Sequence, residues 1–183
     1  MRPLVHPLRA LMLAALLAAP TLVRADDAPV LDSDTFEGLR ARPLGPGAMG
    51  GRVTCLDGVA GDRVTLWIGT AGGGVWVSRD GATTFKPVFD KYCQSIGAIR
   101  VSPKDPKVVW VGTGESWVRN SVGVGDGVYR TGDGGENWTR MGLEKTEHIA
   151  RIVVHAKHPD TVVVAALGPA FSDSPERGIY RTT

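Results

Sequence analysis

Apolar and polar residues alternate along this chain in short runs that recur in a fixed order. Gly97-Ala98-Ile99-Arg100-Val101-Ser102 carries the two-residue period of a half-buried strand. The turn Pro103-Lys104-Asp105-Pro106 follows, and then the more apolar run Val108-Val109-Trp110-Val111-Gly112, the pattern of a strand covered on both faces. Gly127 to Thr131 and Asn137 to Met141 complete a set of four predicted strands. An earlier set comprises Arg52 to Leu56, a turn at Gly61-Asp62, Leu66 to Gly69, Gly74 to Ser78 and Thr84 to Val88. A later set comprises Ile149 to Val154, a turn at Lys157 to Asp160, Val162 to Ala166 and Gly178 to Thr182. No stretch sustains a helical period long enough to compete.

One corner sequence punctuates every set. Ser78-Arg79-Asp80-Gly81-Ala82-Thr83-Thr84-Phe85 and Thr131-Gly132-Asp133-Gly134-Gly135-Glu136-Asn137-Trp138 share hydroxyl, Asp, Gly and aromatic residues at the same offsets, and Gly178 to Thr183 begins the pattern again. Glycine reaches positive φ without steric cost, and the Asp carboxylate accepts backbone N–H groups of its own turn. The preceding hydroxyl does the same, and the closing aromatic anchors the turn to the sheet. Ser78, Asp80, Gly81, Phe85, Thr131, Asp133, Gly134, Gly135 and Trp138 are therefore read as structural. An acid repeated at fixed spacing serves folding, whereas catalysis needs one convergent site.

Asp80 and Asp133 stand 53 positions apart (133 − 80). Periods of this size mark propeller or solenoid arrays, and four short strands per period make a propeller blade. The fold expected is all-β: about three four-stranded blades of a β-propeller, at 51–90, 96–141 and 148–183. Propellers close with roughly four to eight blades, and an open array leaves exposed sheet edges. The expectation is that 51–183 is the N-terminal part of a longer propeller, with Asp-Gly-Gly directly after Thr183.

Met1 to Ala25 has the form of a secretory signal peptide: Arg2 and Arg9, the apolar run Ala10 to Ala19, Pro20, and Val23-Arg24-Ala25 before the expected cleavage. The chain is thus expected to be exported, periplasmic or extracellular, with a Pro- and Gly-rich leader over 26–50. Loss of Arg2, Arg9 and Arg24 turns the formal net charge of +2 slightly negative, so nothing points to nucleic acid. Leu4 to Leu22 aside, no run approaches a transmembrane segment. Cys55 and Cys93 leave two readings open, one disulfide or two half-buried free thiols. They lack metal-site spacing. His155 and His158 flank a turn and read as solvated; no cofactor and no metal site is expected.

The corner Ser/Thr-x-Asp-x-Gly/Ala-x-x-Trp/Phe resembles the Asp box, or bacterial neuraminidase repeat. Gly38 to Pro46, Met49 to Val53, Trp110-Val111-Gly112-Thr113-Gly114-Glu115 and Gly142 to Ile149 resemble a family of large bacterial exported proteins with sortilin-like propeller domains. These are often labelled glycosyl hydrolases or likened to photosystem II stability and assembly factors. The resemblance covers residues 36 to 183. Asp boxes specify fold and leave function open, since sialidases, xyloglucanases, sortilin receptors and non-enzymatic scaffolds all carry them. Sialidases place an Arg in a Phe/Tyr-Arg-Ile-Pro motif; Arg52, Arg100 and Arg151 are the candidates here, and none sits in that motif. Thr70-Ala71-Gly72-Gly73-Gly74-Val75-Trp76 resembles the xyloglucanases, but Ala71 stands where that family has a catalytic Asp. Glycosidases ordinarily need a pair of carboxylates, so the departure counts against that activity.

In propellers, the loops joining second to third strands, and fourth strands to the next first strands, gather on one face. The connection Thr113 to Asp126 is the long one here and carries Glu115, Trp117, Arg119 and Asn120. Long loops on a rigid scaffold often carry function. Together with Tyr92 and His148 from fourth-to-first loops, these residues are the expected ligand-binding set, and no catalytic residue is assigned. Two functions remain: a non-enzymatic module for a protein or peptide partner, and an exo-acting glycoside hydrolase binding carbohydrate through residues mostly beyond Thr183.

Overall fold

A computed structural model describes residues 52–59 and 64–182. The signal segment, the leader, the Gly61-Asp62 turn and Thr183 lie outside the described residues. Eleven strands, β1 (Val53–Val59), β2 (Thr65–Thr70), β3 (Val75–Ser78), β4 (Lys86–Pro87), β5 (Ile96–Val101), β6 (Val109–Thr113), β7 (Val128–Thr131), β8 (Thr139–Gly142), β9 (Ile149–Val154), β10 (Val162–Ala166) and β11 (Gly178–Arg181), make up the described part. They form two four-stranded antiparallel sheets, β1-β2-β3-β4 and β5-β6-β7-β8, and one three-stranded sheet, β9-β10-β11. No helix occurs among the described residues. The sheets are successive blades of a propeller-type array, and their registers coincide. Trp67 pairs with Asp57 and Val77, Trp110 with Arg100 and Arg130, and Val163 with Val153 and Arg181.

Apolar cores lie between adjacent blades. Val109 and Val111 of β6 pack with Trp67, Val75, Val77 and Phe89 in the first core, while Trp110 between them packs with Ile149, Ile152 and Val162 in the second. Burial on both faces explains why β6 reads as an unbroken apolar run. Trp138 couples the blades most directly. Its ring meets Trp67 edge-on at 6.3 Å and Phe89 at 5.1 Å, and its Nε1 donates to Val88 O at 2.9 Å. Phe85 of the first corner is only half-buried.

The inner strands β1, β5 and β9 run beside one another. Thr54 Oγ1 donates to Ile96 O at 2.6 Å, and Val101 N donates to Asp57 Oδ2 at 2.8 Å. Two groups on the edge of β5 are thereby paired by side chains of the preceding blade. Between β5 and β9 the contact is backbone on backbone. A Cβ on Gly97 would strike the carbonyl oxygens of Ile149 and Gly114.

The two corners are hydrogen-bonded alike. Asp80 Oδ1 accepts from Ser78 Oγ, Thr83 N and Thr84 N at 2.8, 3.1 and 2.9 Å. Asp133 Oδ1 accepts from Thr131 Oγ1, Glu136 N and Asn137 N at 2.7, 3.0 and 3.0 Å. Ser78 Oγ accepts from Ala82 N, as Thr131 Oγ1 does from Gly135 N. This pattern corrects the expected bounds of the fourth strands. Thr84 and Asn137 give their N–H groups to the corner carboxylates, so the ladders start later, at Lys86 and Thr139.

The Thr84 hydroxyl, above all, holds the Asp80 carboxyl down at about 2, and the Thr131 hydroxyl holds Asp133 well below the usual carboxylate range. Both carboxyls titrate lower in the folded chain than the unfolded value of about 3.9. Their contribution to stability is therefore complete above that value and is lost as pH falls through about 2. Urea unfolding across an acid pH series is expected to show this decline. An Asp80→Asn/Asp133→Asn variant should be less stable at neutral pH and flatter in acid; a decline as steep as in the unaltered protein would refute the assignment.

Ala82 occupies the left-handed region at φ 69, where the second corner has Gly135 at φ 97. Left-handed backbone costs an L-residue about 1–2 kcal/mol, partly offset by the lower unfolded-chain entropy of alanine. Ala82→Gly is expected to stabilise the chain by roughly 0.5 kcal/mol, read as a higher urea midpoint at unchanged slope.

Candidate functional site

The second-to-third and fourth-to-first connections converge on one face. Gly74 N donates to Gln94 O, Gly114 N to Ser95 O, and Gly125 N to Glu147 O, at 2.9, 2.7 and 2.7 Å. The base of the long Gly114–Gly127 loop is fixed at both ends. At its start, Glu115 N donates to Ser95 Oγ at 3.0 Å, and Ser95 Oγ donates to Gly123 O at 2.9 Å. At its end, Asp126 N donates to Thr113 Oγ1 at 2.8 Å, and Tyr129 OH donates to Asp126 Oδ2 at 2.6 Å. Burial pushes the Tyr129 hydroxyl up to about 12, keeping it a donor. The tip between these clamps is exposed, with Trp117 at 69%.

The six residues expected to bind ligand fall into three environments. Trp117, Arg119 and Asn120 sit together on the exposed tip. Glu115 is buried, its carboxylate ion-paired with Arg52. His148 is also buried; desolvation pushes its imidazole below the ordinary value, and its Nδ1 has no partner among the described residues. Tyr92 is placed elsewhere. It stacks at 4.8 Å on Phe89 and 5.4 Å from Tyr129, and its hydroxyl donates to Trp138 O at 3.3 Å. It borders a different hollow of about 780 Å³, shared with Trp67, Arg79 and Asp133 of the corner side.

The disulfide reading is not realised: both cysteines are free. Burial raises the Cys55 thiol to about 11, and burial likewise raises Cys93, whose Sγ lies 3.6 Å from Ser95 O. His155 and His158 are exposed, and His155 Nδ1 accepts the N–H groups of Lys157 and His158 at 3.1 Å each.

A groove of about 440 Å³ runs across β1, β5 and β9, with Trp117 at its margin. Asp57, Arg100 and Arg151 are among its lining residues, while the Leu56 and Val153 side chains, which alternate with core-facing Asp57 and Ile152, point to the outer faces of the first and third sheets. Leu56 is 65% exposed and Val153 49%. Asp57, the one acid lining the groove, accepts from Val101 N and lies 3.5 Å from Arg100 Nη1. Arg151 is exposed and makes no ion pair among the described residues. The expected ligand set omits Asp57 altogether. A signal is present in the sequence: a charge breaks each of three otherwise apolar inner strands, at Asp57, Arg100 and Arg151.

The third blade also carries a long second-to-third connection, 167–177, which the expected set likewise omits. Arg177 braces it by donating to the carbonyls of Leu167, Pro169 and Ser172, and Phe171 on it is exposed.

No protein-family model matches the sequence, and no curated protein is similar to it. Among solved structures, the chain is similar to an ancestral GH74 enzyme, with 17% identity over 72% of this chain and a TM-score of 0.54. It is also similar to the GH74 enzyme of Niastella koreensis, with 19% identity over 64% and a TM-score of 0.50. It spans 17% and 18% of those two chains. At these identities the likeness is one of fold, and it agrees with successive four-stranded propeller blades.

Proposed function

We propose that this chain is part of an exported Asp-box propeller that works as a non-enzymatic interaction module, taking a protein or peptide partner on its inner-strand face. The observation that carries the reading is the groove across β1, β5 and β9. It is lined by residues of all three inner strands, Arg100 and Arg151 among them, and bordered by an exposed indole on a firmly based loop. Its single lining carboxylate, Asp57, is committed to Val101 N–H and Arg100. Glycoside hydrolysis ordinarily uses two carboxyl groups facing each other across the sugar bond. Ala71, in the half-buried start of the loop after β2, adds none.

The second reading, a glycoside hydrolase, is favoured by the likeness in fold to two GH74 enzymes. A panel of fluorogenic glycosides offered to the exported protein separates the two. The module reading expects no hydrolysis. Robust turnover by the full-length protein, abolished by replacing one channel-facing carboxylate, would overturn it.

A further inference from the structure

Both long second-to-third connections are tied to one dipeptide, Glu147-His148. Gly125 N, near the end of the Gly114–Gly127 loop, donates to Glu147 O at 2.7 Å, and Leu167 N, at the start of the 167–177 connection, donates to His148 O at 2.8 Å. The fit is close, since a Cβ on Gly114 would strike Glu147 O. Glu147 lies in the left-handed region at φ 53, and Leu143, earlier in the same connection, at φ 63. Left-handed backbone is unfavourable for residues with a side chain, so this connection keeps its shape only while its surroundings hold it there.

His148 is the member of this tie whose charge changes near neutral pH. It is 2% exposed, and its Nδ1 has no partner among the described residues. Its Nε2 lies 3.9 Å from Glu147 Oε2, outside hydrogen-bond range. Glu147 is the charge that acts on the ring, and its own side chain is partly in solvent. The charged groups of the neighbouring elements are committed or exposed. Glu115 pairs with Arg52, Asp126 is held by Tyr129 and Arg140, and Arg177 donates to carbonyls of its own loop. Arg100 of β5 faces Asp57, while Glu144, Lys145, Arg151 and Asp173 are exposed. An imidazolium here would be buried with neither an acceptor nor a close counter-charge, so the ring is neutral while the loops are in place.

We propose that Glu147-His148 is an acid-sensitive latch: protonation of His148 below neutral pH turns its ring out to water and frees both loops from their carbonyl anchors. Desolvation sets the folded-state value of the ring below the unfolded value of about 6.5. The latch is therefore at full strength above that pH and weakens as pH falls below it. Once freed, the Gly114–Gly127 loop no longer fixes Trp117 at the margin of the inner-strand groove. The device is independent of what occupies that face, and the module reading stands or falls without it.

Hydrogen exchange followed by mass spectrometry on the exported full-length protein tests this, with each rate divided by the intrinsic rate at its pH. Peptides covering 114–127 and 146–168 are expected to lose protection severalfold between pH 7.5 and 5.0, while corner peptides covering 78–85 and 131–138 keep theirs. His148→Gln should abolish the pH dependence, and a His155→Gln/His158→Gln variant should retain it. Equal loop protection at the two pH values, a loss shared evenly by loops and corners, or a loss that persists in His148→Gln overturns the latch. Where His148→Gln does not fold, Glu147→Gln decides. It removes the one charge that favours the imidazolium, so the loss in acid should grow, and a loss no larger than in the unaltered protein overturns the proposal.

Discussion

Replacing Trp138 with alanine is expected to destabilise the folded chain by about 3–5 kcal/mol, the range for emptying a buried indole site. The ring fills the junction between the first two blades, edge-on to Trp67 and Phe89, and the replacement also strands Val88 O. A part-buried carbonyl left without its donor adds to the cavity term. Trp138→Phe retains much of the packing and loses the N–H, so it should cost roughly 1–3 kcal/mol. Phe85→Ala is the internal comparison. Phe85 closes the first corner at the equivalent sequence position but is only half-buried, and its loss should cost about 1 kcal/mol. Urea unfolding of the three variants measures all three values. Equal losses for Trp138→Ala and Phe85→Ala would mean that the corner aromatic does not join the blades.

The second large effect is expected from a single methyl group. Gly97→Ala places a Cβ against the carbonyl oxygens of Ile149 and Gly114, both backbone atoms that cannot rotate away. Either β5 and β9 separate or the chain does not fold, so the cost should be about 3 kcal/mol or more, the upper end for overpacking. Separation would also open the groove, which these strands line. Ligand binding should therefore weaken beyond what the lost stability explains. Gly72→Ala is the control, because no atom lies within 4 Å of the place its methyl group would take; it should be neutral within roughly 0.5 kcal/mol.

Strands and corners were legible in the sequence because their causes are local. Asp80 and Asp133 bond to groups within four positions of themselves, and Gly81 and Gly134 take the left-handed backbone that such turns require. The β6 run betrayed its two buried faces through its unbroken apolar character. The candidate site was legible only in part, because it depends on residues far apart in the chain. Glu115 looks like an exposed loop acid, yet it pairs with Arg52, 63 positions earlier, and is buried. Tyr92 reads as a loop residue until Phe89, Tyr129 and Trp138 close around it. Arg100 and Arg151 could be compared with a motif but not placed beside each other, since only the packing of β5 against β9 brings their strands together.

The account stands on the inner strands of successive blades lying side by side, since the groove exists only if they do. Nuclear Overhauser contacts in the isotope-labelled protein measure this arrangement directly. Contacts between Thr54 and Ile96, and between Gly97 and Ile149, are predicted alongside the within-blade pairs Trp67–Val77 and Trp110–Arg130. Within-blade contacts without any between Thr54 and Ile96 or between Gly97 and Ile149 would contradict it.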